Sequence, residues 1–318
     1  MSAVRRRAAL VMASVFIPVV VVAAGFVFLV NAQASGPFES QRIYVNPDSQ
    51  AAEAVASGSA DAVVERVANT PTAIWLTPEE YGIGDVGGYV RSVVTDAATT
   101  DSTPVFVVYG IPNRDCGNFS AGGLSASDYP DWVEEIASNL GEGQSVVLVE
   151  PDALSLAHEC PDEDVQVDAV AGAVATLSVT ESWIYVDGGH SNWRSPEDMA
   201  ALLERVGVDS IRGFSTNVSN FNPTDDERAY AETLSGLVGG AHYVIDTSRN
   251  GAGSDGEWCN PSGRALGATP LTVSVSGAMD GNLWIKAPGE SDGTCNGGPP
   301  AGEWWPSAID EMARNAGW

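Results

Sequence analysis

The chain has 318 residues, enough for one large domain or two small ones around a buried core. It carries 42 acidic and 15 basic residues; the first 34 residues hold three arginines and no acid, so residues 35–318 set 42 acids against 12 bases, a net charge of −30. Such a surface repels phosphodiester backbones and anionic lipid heads, which excludes nucleic acid as a partner, while 44% hydrophobic residues exclude a disordered chain.

Arg5, Arg6 and Arg7 precede an uncharged apolar run over residues 8–30, followed by Ala32-Gln33-Ala34 and a Ser-Gly break. A positive flank, an apolar middle and a small-residue exit read as a secretory signal. The run is also long enough to span a bilayer, and Pro18 and Gly25 weaken a helix without forbidding that. Residues 1–34 are therefore expected to be a cleaved signal peptide, with a retained membrane anchor through residues 8–30 as the alternative. Either way the globular part lies outside the cytosol, secreted or outward-facing. Cysteine usage agrees. Cys116, Cys160, Cys259 and Cys295 form an even set without C-x-x-C spacing, which in an exported chain suggests two disulfides with three possible connectivities.

No repeat or long linker interrupts the remainder, so residues 35–318 read as one domain. Short β-branched or aromatic runs recur at 72–76, 104–109, 145–149, 183–186, 211–215, 242–245 and 283–285. Continuously apolar strands of this length suit a parallel sheet covered on both faces. Helical patterns lie between them. Ser195 is a cap with Pro196 at the first helical position, and Thr224 with Glu227 three residues on makes a capping box. Alternation with right-handed crossovers gives an α/β fold, here a distorted seven-stranded parallel β/α barrel, with a doubly wound open sheet as the alternative.

In parallel α/β folds ligands bind beyond the carboxyl ends of the strands. The first run carries Trp75 at its end. Tyr109 leads into Asn113-Arg114-Asp115-Cys116, and the third run gives Glu150-Pro151-Asp152. The fourth gives Asp187-Gly188-Gly189-His190 and then Trp193. Asn217 and Asn220, Asp246 and Arg249, and Lys286, Glu290 and Asp292 follow the last three. Pairing the cysteines in chain order would staple two pairs of these loops, since Cys116 adjoins Asp115 and Cys259 adjoins Trp258. Carboxylates interleaved with indoles suggest sugar chemistry. Indole faces cover the apolar faces of pyranose rings, and hydrolysis needs one protonated carboxyl and a second carboxylate. Asp115 and Asp152, on neighbouring strand ends, are candidates for that pair. The three histidines lack metal-ligand spacing, and neither a G-x-S-x-G elbow nor a P-loop is present. Lys286 is the only lysine, which points to a role that arginine does not fill.

Val107-Val108-Tyr109-Gly110-Ile111-Pro112-Asn113-Arg114-Asp115-Cys116 resembles one signature of glycoside hydrolase family six, a cellulase family, and Val147-Leu148-Val149-Glu150-Pro151-Asp152-Ala153-Leu154 resembles the other. The likeness runs from about residue 43 to 316. It implies an inverting β-1,4-glucanase (cellulase) that needs no cofactor; an endo-β-1,4-glucanase acting as a monomer on β-1,4-glucan, with no metal, is the expectation. In that resemblance Asp152 is the proton donor, Asp115 supports it and handles water, and Asp292 is the candidate base. Tyr109, Asp187, His190, Asn217, Arg249, Lys286 and Glu290 line the substrate site, with Trp75, Trp193 and Trp258 as stacking surfaces. One position departs: some relatives carry a serine where this chain has Ala121, beside Ser120, which bears on the base. A cellobiohydrolase, or a non-catalytic glycan-binding protein on the same fold, are the alternatives. The endo reading rests on there being little spare chain between 255 and 289 for loops that would roof the groove.

Overall fold

The computed structural model describes residues 36–38, 42–58, 61–118, 120–141, 144–272 and 277–318. The expected leader lies outside them, and no described helix is long and apolar enough to cross a membrane.

Each apolar run becomes a strand because both its faces are buried, leaving its polar neighbours to the loops. The strands are β1 (Ile74–Leu76), β2 (Val105–Val108), β3 (Val146–Val149), β4 (Trp183–Asp187), β5 (Gly213–Thr216), β6 (His242–Asp246), β7 (Leu271–Thr272) and β8 (Met279–Leu283). They form one sheet in the order β1-β2-β3-β4-β5-β6-β8-β7, with all neighbours parallel except the short antiparallel β7. Seven parallel strands, the number expected from the sequence, curl into a distorted barrel. Between its ends the ladder gives way to looser ties. The Ala73 N–H donates to the Trp284 carbonyl at 2.9 Å, and Trp75 Nε1 donates to the Ile285 carbonyl at 2.9 Å.

The last parallel strand departs from its sequence reading. Residues 283–285 were its apolar signal, yet the ladder runs over Met279–Leu283, a poor strand sequence. Pairing with β6 imposes the extended backbone there, with a register shift between Met279 and Gly281. Trp284 and Ile285 instead continue past the ladder and close the barrel.

Side chains alternate as the pleat requires. Val105, Val107, Val146, Leu148, Tyr185 and Val244 point into the barrel with Leu283 and Ile285. Phe106, Val108, Val147, Val149, Ile184 and Ile245 pack outward against the helices. A buried polar knot joins four strand starts. Asp280 accepts from Arg212 Nε (2.8 Å), Arg212 Nη2 (2.7 Å) and the Tyr185 hydroxyl (2.6 Å), with His242 Nδ1 at 3.0 Å.

Of the two helix starts, one forms as expected: the Ser195 hydroxyl accepts the Asp198 N–H at 3.1 Å ahead of Pro196–Arg205. The capping box at Thr224 does not form. Pro223 is the cap of Thr224–Leu237, Thr224 Oγ1 accepts from Asn250 Nδ2, and Glu227 is drawn to another partner. Tertiary contacts outcompete the local cap because both side chains are pulled toward the strand exits.

Candidate active site

The strand exits turn sharply, and the turns use backbone that side chains usually avoid. Asn113, Asp115, Cys116, Glu150, Asp152, Asn217 and Ser219 all have φ between 48° and 68°. Seven of the ten described non-glycine residues with positive φ therefore sit in these exit segments. Strain of this kind persists only where the surroundings fix it, and it gathers at functional sites. Part of the fixing is covalent: Cys116 bonds Cys160 and Cys259 bonds Cys295, the chain-order pairing.

Asp152 follows β3 in a left-handed turn, at φ 68°, and its backbone N–H donates to Asp187 Oδ2 at 3.1 Å. Burial pushes its carboxyl well above the ordinary range, and the charges of Asp187, Asp115 and Asp292 add to the rise. Asp115, Asp187 and Asp292 therefore all lie near Asp152. Asp187, at the end of β4, is raised to about 6 by burial. The N–H groups of Asp152 and Gly189 and the Ser215 hydroxyl hold it down, while the nearby Glu227 raises it. Burial also raises Asp115, opposed by the Ser120 N–H, 3.0 Å from Oδ2, and by Arg114. Arg114 is itself anchored, with Glu79 at 3.0 Å and the Tyr109 carbonyl at 2.8 Å. The Tyr109 phenol lies near Asp152, Asp115 and the Ser120 hydroxyl.

Asp292 is gripped differently. Arg249 Nη1 donates to both its oxygens at 2.9 and 3.0 Å, and the Asn260 N–H donates to Oδ2 at 3.0 Å. Arg249 also donates to the Ser219 carbonyl and lies 4.5 Å over the Phe221 ring. It is buried and committed to the wall. Asn217 is likewise buried, giving its amide to the Asp246 and Asn222 carbonyls and accepting the Asn222 N–H. A cavity of about 470 Å³ lies behind this wall, lined in part by Arg249, Asn260, Glu290 and Trp305. Asp152, Asp115 and Asp187 do not line it; they stand apart from it at the strand exits, and the space beyond those exits is the candidate trough.

The rest of the trough is aromatic and polar in turn. Trp75 meets Tyr109 edge-on, centroids 5.0 Å apart, and Lys286 Nζ lies 5.6 Å over the indole. The Lys286 ammonium is 3.3 Å from Glu290 Oε2, and its backbone N–H is tied to Asp246. His190 and Trp193 form a second group, rings 5.2 Å apart. Burial lowers His190 to about 4, and its Nδ1 accepts the Asn192 N–H, so the ring is neutral with its proton on Nε2. Trp258 is 46% exposed on the loop that the Cys259–Cys295 bridge ties down.

Two buried acids received no role from the sequence. Glu150, two residues before Asp152, accepts the Gly110 N–H (3.0 Å) and the Tyr129 hydroxyl (2.8 Å), and burial raises it to about 7. Glu227 accepts the Ser191 N–H at 2.9 Å. Nothing in the strand pattern distinguishes Glu150 from a loop acid, and the spacing from Thr224 gave Glu227 a local explanation.

Chemically, the trough offers a carboxyl that keeps its proton, carboxylates close beside it, and flat aromatic surfaces with hydroxyl-binding groups between them. Comparison with known proteins points the same way. The Glycosyl hydrolases family 6 profile matches residues 38–316. Endoglucanase A of Cellulomonas fimi is 42% identical over 287 residues, 89% of this chain, which spans 63% of that relative's length. A probable 1,4-beta-D-glucan cellobiohydrolase C of Neosartorya fischeri is 27% identical over 353 aligned residues, covering 88% of this chain. Among solved structures, the endoglucanase Cel6 from Mycobacterium tuberculosis, in complex with a methyl-cellobiosyl-thio-cellobioside, superposes with a TM-score of 0.86 at 46% identity. That match covers 89% of this chain and all of the other.

Proposed function

The chain belongs to glycosyl hydrolases family 6, and from that membership we propose that it is an endo-β-1,4-glucanase cleaving with inversion. The observation that carries this reading is the Asp152 carboxyl, which burial and three neighbouring acids push well above the ordinary carboxylate range. Such a group delivers a proton to a glycosidic oxygen as the bond breaks. Positive charge then develops on the sugar ring, and the carboxylates of Asp187, Asp115 and Asp292 stabilise it.

Inversion requires water on the opposite ring face and a carboxylate to take its proton. Asp292 is the candidate base, and its oxygens already accept from Arg249 Nη1 and the Asn260 N–H. In this reading its proton arrives through water, with Asp115 helping to orient that water. Ser120, whose N–H holds Asp115 and whose hydroxyl reaches Tyr109, stands where the neighbouring Ala121 offers no hydroxyl. Trp75, Trp193 and Trp258 serve as stacking faces; Lys286, Glu290 and the neutral His190 bind hydroxyls. Arg249 and Asn217 act on substrate through the wall they brace.

The endo assignment rests on chain economy. The alignment to the endoglucanase takes 287 positions and that to the cellobiohydrolase 353, for nearly the same share of this chain. The latter therefore carries interposed segments that this chain lacks. We further place residues 35–318 as one catalytic domain, monomeric and outside the cytosol, and the N-terminal mass of the exported protein tests whether its leader is cut.

The deciding experiment follows viscosity and reducing ends together on carboxymethyl cellulose. Endo cutting drops viscosity early, with few new ends; a slow drop with steady cellobiose release overturns it. Proton NMR should show α-anomeric product first. A β-anomer refutes inversion, and no reducing sugar at all favours a glycan binder.

A further inference from the structure

We propose that Glu227 is a positioning residue for the reaction, anchoring the loop that carries His190 and Trp193. Glu227 lies in the first turn of Thr224–Leu237 and is fully buried. Its Oε1 accepts the Ser191 N–H at 2.9 Å. A second tether runs alongside, from Asn192 Nδ2 to Asn222 Oδ1 at 2.8 Å. Two consecutive loop residues are thus held by one helix and the segment leading into it, and they lie between His190 and Trp193. The polar ends of Ser191, Thr216 and Asn222 face the same carboxyl, and Ser191 Oγ, Thr216 Oγ1, Asn222 Nδ2 and Glu227 Oε2 have no partner elsewhere.

A carboxyl sealed in such a place is costly, and a glutamine or an apolar side chain would fill a merely structural role at less expense. What distinguishes the position is its other neighbour. Asp187 feels the Glu227 charge, and Asp187 in turn accepts the Asp152 N–H. Asp152 lies beside Asp187, and Tyr230, whose hydroxyl donates to the Gly188 carbonyl, lies near both Glu227 and Asp187. Glu227 therefore touches both halves of the trough, the aromatic loop by hydrogen bond and the proton donor through Asp187.

The inference rests on reading the trough as a β-1,4-glucan site, and its test has one arm that does not need turnover. Glu227→Ala should strip amide-exchange protection from Ser191 while leaving the β-strand amides protected. On cello-oligosaccharides it should raise KM about tenfold, the loss of a hydrogen bond to a charged group, with a smaller fall in kcat. Asn222→Ala should reproduce the KM rise. Glu227→Gln keeps the Oε1 acceptor and should restore KM to within about threefold. Unchanged Ser191 protection in Glu227→Ala, or a Glu227→Gln variant as damaged as the alanine, overturns the proposal. Wild-type protein that cleaves no cello-oligosaccharide overturns the glucanase reading instead, and the exchange experiment still decides whether Glu227 anchors the loop.

Discussion

Replacing Asp152 with asparagine separates what this side chain gives the reaction from what it takes from the fold. The amide is nearly isosteric, and the backbone N–H that reaches Asp187 is untouched. An amide has no proton to give, and a lost general acid lowers the rate by about 10²–10⁴. At 1.36 kcal/mol per decade, that is roughly 3–5 kcal/mol of lost transition-state stabilisation. Stability should move the other way. Folded Asp152 titrates well above the unfolded residue, whose value is near 3.9. The folded state is therefore penalised above that pH, increasingly so until the folded value is passed, whereas below about 3.9 both states are protonated and the penalty vanishes. Asp152→Asn should thus melt at a higher temperature than wild type at pH 7 and at the same temperature at pH 3. Reducing-sugar release from carboxymethyl cellulose and calorimetric scans at the two pH values test both halves. Activity within tenfold of wild type, or a lower melting temperature at pH 7, refutes the reasoning.

Asp280→Ala should cost about 3–5 kcal/mol in urea denaturation, because it leaves the Arg212 guanidinium buried without its anion. In wild type the pKa of Asp280 is depressed by Arg212, His242 and Tyr185. Its contribution is present above the ordinary carboxylate value and is lost as pH falls through the lower folded one, so the variant's deficit should shrink on acidification. Glu150→Gln should do the reverse. With Glu150 raised from 4.5 to about 7, the variant should match wild type near pH 4 and gain up to about 3 kcal/mol by pH 8, which chemical denaturation at the two pH values measures. Serine at Cys116 and Cys160 opens a bridge spanning 44 residues, worth about 4 kcal/mol on the loop-entropy model. Thermal melts should show that loss, and activity should fall further than at Cys259 and Cys295, since only the first loop encloses Asp152.

Six of the seven parallel strands could be read from their apolar runs because burial on both faces leaves no polar alternation to confuse the signal. The seventh, Met279–Leu283, was obscured because its extension comes from pairing with β6 rather than from its own residues. The carboxyl cluster was legible for a related reason: residues immediately after parallel strands converge on one end of the barrel whatever their loops do. Asp115, Asp152, Asp187 and Asp292 all stood in strand-exit segments, while the roles of Asp187 and Asp292 came from the family resemblance. What chain position does not encode is which polar groups turn inward. Asn217 and Arg249 stood at strand exits like the others, yet the structure spends them on backbone carbonyls and on Asp292. Glu227 matched a local capping pattern and was taken by a loop 36 residues away in sequence.

The acids differ in what surrounds them. Both Asp292 oxygens accept from Arg249 Nη1, and Oδ2 also accepts the Asn260 N–H. No cation appears among the influences on Asp152, only burial and three like charges. Arg249, itself buried, fixes the position of Asp292 near Asp152. The strained turns serve the same end: a left-handed backbone at Asp115 and Asp152 puts two carboxyls from adjacent strands into a space that ordinary exits would leave to one. The bridge from Cys116 to Cys160 helps keep both turns from relaxing apart. In this arrangement burial and crowding by other acids together raise Asp152, and both are sustained by buried neighbours and a covalent bridge.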